Sequence, residues 1–222
     1  MAAELSTFAA LDGWDGIFVA ERANLRCVAV QLRDGTVGLY NPVAGMGDAA
    51  RRSLAELGTV SALLTPNHYH NKALAEYAEL FPEAALLCGP AAQPRLTKIT
   101  GLTFAGLGDL GAVLPSDIDL VETQGLKTGE VWLVVQGSSG WAWILGDAFC
   151  GPKSAPHRVV DAAEMLGTFP NYAVKDRTVY LNWIEAQLEA GAPSMIVPCH
   201  GALIRRATPY SDLIEVAGAV LG

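Results

Sequence analysis

Leu63-Leu64-Thr65-Pro66-Asn67-His68-Tyr69-His70-Asn71-Lys72 is the stretch on which the reading of this chain turns. Upstream of it, Val60 to Leu64 is an apolar run of strand length, and downstream Ala73 to Leu80 reads as a helix. Between them, two imidazoles one residue apart stand just past a strand end, where both can turn toward one metal ion. The chain has 4 histidines in 222 residues, so two in one loop is a concentration. The others are His157 and His200, and His200 also follows a buried strand.

Working outward, Arg26 to Leu32 and Thr36 to Tyr40 flank Arg33-Asp34-Gly35, and Asp-Gly between two strand-like runs predicts a hairpin. Asp48 to Leu57 reads as a helix ending at Gly58. Then come a strand at Thr59 to Leu64, the histidine loop, a helix at Asn71 to Leu80 ended by Phe81-Pro82, and a strand at Ala84 to Cys88. Gly101 to Asp119 is read as short strands and turns. Strands follow at Ile118 to Thr123, Glu130 to Val135 and Gly140 to Leu145, the last two joined through Gly137-Ser138-Ser139-Gly140. Asp161 to Leu166 is predicted as a short helix. Lys175 to Ala190 is a longer helix with Val179, Trp183 and Ile184 at helical spacing. Ser194 to Val197 is a strand running into Pro198-Cys199-His200-Gly201, and Ser211 is placed as the cap of a last helix to Leu221.

Two β-rich blocks, each followed by helices, predict one domain over 1–222 in which two sheets pack together with helices outside. The chemistry then falls at strand ends: His68 and His70 after one strand, Asp147 after Trp141 to Gly146, His200 after a third. Loops at carboxyl ends of strands are where α/β folds place their sites.

Bulk properties narrow the function classes. A chain that is 51% hydrophobic and 17% charged is a compact globule. Net charge is -8 and no Lys/Arg stripe is present, which argues against nucleic acid or an anionic membrane as partner. No apolar run reaches a membrane span, and the N-terminal region has neither the basic start nor the apolar centre of a signal peptide. Cys27, Cys88, Cys150 and Cys199 lie far apart without a C-x-x-C, as expected of buried free thiols in a cytoplasmic protein. There is no G-x-G-x-x-G, P-loop or G-x-S-x-G, so nucleotide binding and serine-hydrolase chemistry have no support. Trp132, Trp141 and Trp143 flank a hairpin and are expected in the core or on a sheet face. His157 is expected at the surface, and Cys199 should point away from His200 because successive strand side chains alternate.

In order along nearly the whole chain, these segments resemble the metallo-β-lactamase fold superfamily. Asn24 to Pro42 resembles its opening hairpin, which leads to an acidic residue, here Asn41. Thr65 to Ala73 resembles the T-H-x-H-x-D-H loop, and Glu122 to Glu130 the P-G-H-T-P-G segment. Gly146-Asp147 resembles the G-D that supplies a bridging carboxylate, and Val197 to Gly201 the last strand ending in His-Gly. Phe81-Pro82-Glu83-Ala84 is similar to a branch with a reduced site. The resemblance implies an αββα sandwich of two mixed sheets, zinc, iron or manganese as cofactor, and hydrolysis by metal-bound hydroxide.

The resemblance also carries a ligand set. The first ion takes both H-x-H imidazoles, a third His and the bridging Asp: here His68, His70 and Asp147, with Leu126 at the third His. The second takes the Asp and His of x-D-H, the bridging Asp and the last His: here Lys72, Ala73, Asp147 and His200. The implied site is therefore reduced and at most mononuclear, with His68, His70, Asp147 and His200 as metal residues and zinc foremost. Asp147 and His200 carry the catalytic roles, and a small molecule is the substrate. Lys72 is expected to replace the second ion's charge by pairing with Asp147. The alternative is a binding protein without catalysis on the same fold.

Overall fold

A computed structural model describes residues 4–152 and 158–222. His157 lies outside the described residues. Two six-stranded sheets make up the centre. The first runs β1 (Ala9–Ala10), β2 (Ile17–Arg22), β3 (Leu25–Gln31), β4 (Val37–Tyr40), β5 (Val60–Thr65), β6 (Ala85–Cys88) in spatial as well as chain order. The second contains β7 (Ile118–Glu122), β8 (Val131–Gly137), β9 (Gly140–Leu145), β10 (Val159–Val160), β11 (Pro193–Pro198) and β12 (Leu203–Arg205), in spatial order β10-β12-β11-β9-β8-β7. Both are mixed. β1 to β4 pair antiparallel and β4, β5 and β6 parallel, while β9 and β11 form a parallel pair inside the second sheet.

Alternation along each strand builds the layers. On β3, Val28 and Val30 face the second sheet, whereas Cys27 and Ala29 face outward. On β8, Leu133 and Val135 complete the inter-sheet core, whereas Trp132 and Val134 face outward. Helices α1 (Asp48–Leu57) and α2 (Leu74–Leu80) cover the first sheet through Leu54 and Tyr77. Helices α6 (Arg177–Gly191) and α7 (Leu213–Leu221) cover the second through Trp183, Ile184, Leu213 and Ala217. The result is the αββα sandwich that the sequence predicts. Trp132 and Trp143 are fully buried, with Trp183 packed at 4.7 Å on Trp132, so they belong to the core.

Several elements differ from the sequence reading. The pattern missed β2, which pairs with β3 along its whole length. The Gly-rich middle is partly helical: α4 (Gly108–Val113) stands where turns and strands are expected, and α3 (Gln93–Thr100) forms in a segment to which the sequence reading assigns no element. No helix forms over 161–166. There the backbone of Glu164 exchanges both hydrogen bonds with Cys150, at 2.8 Å each, and so cannot pair within a helical turn. A short helix, α5 (Phe169–Tyr172), follows it. The last helix starts after Asp212, and Ser211 is not its cap. By contrast α6 starts on a side-chain cap, Asp176 accepting from the Val179 amide. Among the described residues, no helix is long and apolar enough to cross a membrane.

The topology positions the site. β4 and β5 are parallel neighbours in one sheet, and β9 and β11 in the other. Within each pair, therefore, the carboxyl ends lie on the same edge, and a bridge between Leu25 and His200 ties the two edges together. The segments after Tyr40, Thr65, Leu145 and Pro198 meet there.

Candidate metal centre

Those four strand ends deliver Asn41, His70, Asp147 and His200 to one place. Asp147 Oδ1 lies 3.2 Å from His70 Nε2 and 3.1 Å from His200 Nε2. The three donor atoms all fall within 4.8 Å of one another, a group able to hold a metal ion. Ligands about 2.1 Å from a tetrahedral ion stand roughly 3.4 Å apart, close to these separations. The side chains of His70 and Asp147 are nearly buried, while that of His200 is 30% exposed and forms the open side.

The proton positions follow from the hydrogen bonds. Asn41 Nδ2 donates to the Arg26 carbonyl at 2.6 Å, which can only accept, so Asn41 Oδ1 must face His70. His70 Nδ1, 2.7 Å from that oxygen, therefore carries hydrogen. In the neutral ring, Nε2 then presents a lone pair to the Asp147 carboxylate. Two bases in contact call for a cation between them, a proton or a metal ion. Asn41 has φ +57°, a left-handed backbone that Asn tolerates better than most residues, so the position suits Asn twice over.

Asp147 is held from behind. Asn67 Nδ2 donates to Asp147 Oδ2 at 3.0 Å and to Glu130 Oε2 at 3.1 Å. The buried Glu130 accepts from the Asp147 amide and, at 2.9 Å, from Trp132 Nε1. Gly146 permits this approach, since a Cβ there would stand 3.0 Å from the Glu130 carboxyl carbon. Burial, then the nearby Asp147, pushes Glu130 up to about 7. Burial also pushes Asp147 upward, but its close contacts with His200 and His70 outweigh it and hold its carboxyl well below the usual range.

Arg26 ties the edges together. Its buried guanidinium donates to the carbonyls of Pro198 at 2.6 Å and Gly201 at 3.0 Å, on both sides of His200, and pairs with Glu21. Its own carbonyl is the one that orients Asn41. One residue therefore braces both imidazoles.

Not every residue named from the sequence arrives here. His68 is buried elsewhere in the loop, its ring edge-on to Tyr69 and its Nε2 without a hydrogen-bond partner among the described residues. Burial, then Arg95, lowers its pKa and keeps it neutral. Leu126 packs into the outer core of the second sheet, and Ala73 into that of the first. The expected pairing of Lys72 with Asp147 is not formed. The histidines occupy Asp147 Oδ1, and Lys72 is exposed with no ion pair among the described residues. Cys199 does point away from His200, into the inter-sheet core. Asn41 was noted only as a replaced acid, and Arg26, Asn67 and Glu130 were missed. Their signal was available: Arg26 and Glu130 are charges at the mouths of otherwise apolar strands.

Two clefts meet at this group. One, of about 330 Å³, is lined by Arg22, Lys72, Tyr69 and His70 together with Asp147 and His200. The other, of about 220 Å³, is lined by Cys150, Leu166 and Tyr172, again with Asp147 and His200. A larger hollow of about 460 Å³ between α1 and the end of α2 contains none of these residues.

No family model and no curated protein matches the sequence. Solved structures do match. A metallo-β-lactamase from Hirschia baltica is similar at 10% identity and TM-score 0.59, over 98% of each chain. The rubredoxin oxygen:oxidoreductase of Desulfovibrio gigas is similar at 16% identity and TM-score 0.56, over 98% of this chain and 58% of that one. A flavodiiron core from Synechocystis gives 13% and 0.54, over 100% of this chain and 62% of its own. The chain thus spans about three fifths of the length of the last two. What they share with it is the metallo-β-lactamase fold, which this chain adopts over its described length.

Proposed function

We propose that the protein binds one divalent metal ion through His70 Nε2, Asp147 Oδ1 and His200 Nε2 and hydrolyses a small molecule there. The observation that carries this reading is the commitment of His70 Nδ1 to Asn41, which leaves Nε2 as a lone pair aimed at a carboxylate. The register of the loop supports it. Thr65 is the last residue of β5. Counting T-H-x-H-x-D-H from Thr65 sets the acid of that motif at His70, not at Lys72. His70 then stands with Asp147 and His200 at the position the resemblance gives to the second ion. The first ion's position keeps only His68 and Asp147, hence a single ion.

A divalent ion at this place would supply Lewis acidity, polarising a substrate oxygen and acidifying water. The chain's own part is positional. Asn41 fixes the tautomer of His70, Asn67 and Glu130 fix the carboxylate of Asp147, and Arg26 fixes the loop of His200. Asp147 and His200 line both clefts, so they are the groups a substrate meets from either side. Clefts of this size admit small molecules.

The second reading, a binding protein without catalysis, is favoured by one feature. The side chains hydrogen-bonded to His70 Nδ1 and Asp147 Oδ2, those of Asn41 and Asn67, are amides that cannot relay a proton as a carboxylate does.

The deciding experiment is metal per chain after chelator-free purification and after incubation with zinc, iron(II) or manganese. Near-stoichiometric metal in the wild type, lost in His70→Ala and His200→Ala and kept in His68→Ala, supports the three-residue site. A wild type that takes up none of the three metals, or a His70→Ala protein that keeps its metal, overturns it.

A further inference from the structure

We propose that the larger of the two clefts selects small substrates carrying an anionic group at one end, and that Lys72 is the residue that recognises it. This rests on the metal-site reading above and names the substrate class for it. The whole chain carries a net charge of -8, yet among the described residues those that line this cleft with a charge are Arg22 and Lys72 against a single acid, Asp147. That acid already faces two imidazoles at 3.1 and 3.2 Å. The local field therefore runs opposite to the molecule's overall charge, and a concave wall concentrates it.

The two cations differ. Arg22 is anchored, Nη1 donating to the Ala44 carbonyl at 2.7 Å, and so helps to build the wall. Lys72 is exposed, stands two residues beyond His70, and has no ion pair among the described residues. An ammonium left uncommitted beside a candidate metal centre, in a cleft of about 330 Å³, is placed to meet a carboxylate or phosphate. The opposite cleft supplies the contrast. Among the described residues, and apart from the shared Asp147 and His200, its lining is Asn24, Cys150, Leu166 and Tyr172, all neutral. A substrate lying across the metal group would thus direct its charged end toward Lys72 and its uncharged end toward Tyr172.

Calorimetric titration with glutarate and with its uncharged diamide, glutaramide, tests this in the zinc-incubated wild type, Lys72→Ala, Lys72→Glu and Lys72→Arg. Zinc content is measured first in each protein. The expected result is a wild-type preference for glutarate that falls about fivefold in Lys72→Ala, falls further in Lys72→Glu and is restored in Lys72→Arg, with zinc content unchanged throughout. Raising salt should shrink the wild-type preference and leave that of Lys72→Ala nearly constant. Equal preferences in wild type and Lys72→Ala overturn the proposal, even where zinc is bound. A wild type without zinc overturns the metal reading instead, and the same comparison on the zinc-free proteins still decides the role of Lys72.

Discussion

His68 and His70 leave the same loop and end in opposite surroundings. His70 has a partner on each ring nitrogen, Asn41 on one side and Asp147 on the other. His68 turns toward Tyr69 and Arg95 and leaves Nε2 unpartnered. In an extended strand, residues two apart would share a face. Here the chain is turning, with the His70 amide bonded back to the Asn67 carbonyl, so the two side chains diverge. A pair of histidines spaced for joint ligation thus becomes one residue of the candidate site and one packing residue, and the backbone after Thr65 decides which is which.

The strongest way to break this contrast is to remove what holds the His70 side. Arg26→Met should leave the carbonyls of Pro198 and Gly201 and the carboxylate of Glu21 without their donor. We expect a loss of about 3–5 kcal/mol, read as a lower urea midpoint. Next in size, Asn41→Ala removes the acceptor for His70 Nδ1 and places Ala in a left-handed backbone. Zinc affinity, measured by competition with a chromophoric chelator, should fall about 10- to 100-fold. Smaller still is the effect of His68→Phe, which replaces a buried ring that has an unpaired nitrogen with an apolar ring. Stability should change by no more than about 1 kcal/mol, and zinc affinity should hold. A large loss of zinc in His68→Phe would erase the difference between the two imidazoles.

An effect confined to high pH concerns the far face of the strand that carries Arg26. Cys27 points into the outer core, where burial pushes its thiol up to about 12, and burial pushes Cys88 to about 11. Above pH 9, the ordinary value for these thiols, the unfolded chain gives up these protons and the folded one keeps them. Stability should therefore fall as pH rises from 9 toward 12. Denaturant titrations at stepped pH check this, and Cys27→Ala should flatten the slope without altering zinc affinity.

Much of the architecture could be read from periodicity. Strands such as β3, β8 and β9 alternate or run apolar between clear turns, and α6 keeps its helical spacing. β2 escaped because the turn after it, Ala23-Asn24, lacks Gly or Pro although Ala23 has φ +54°. The helix over 108–113 escaped because two of its six residues are glycine, against local propensity. For the candidate site, the order of loops places Asp147 and His200 together, each the second residue past a buried strand. It did not sufficiently constrain the histidine loop, whose turn shifts the motif by two residues relative to a reading anchored on H-x-H. Glu130 is visible as a charge at the mouth of an apolar strand, but its role is not, because Asn67 and Asp147, which tie it to the candidate site, come from segments 63 and 17 positions away.

Arg26 Nη1 grips a carbonyl 172 positions further along the chain. During synthesis its guanidinium leaves the ribosome long before that partner exists, and the loop of His70 emerges with neither Asp147 nor His200 to face. The proposed metal site is therefore assembled only after the segment that carries His200 has been translated and docked.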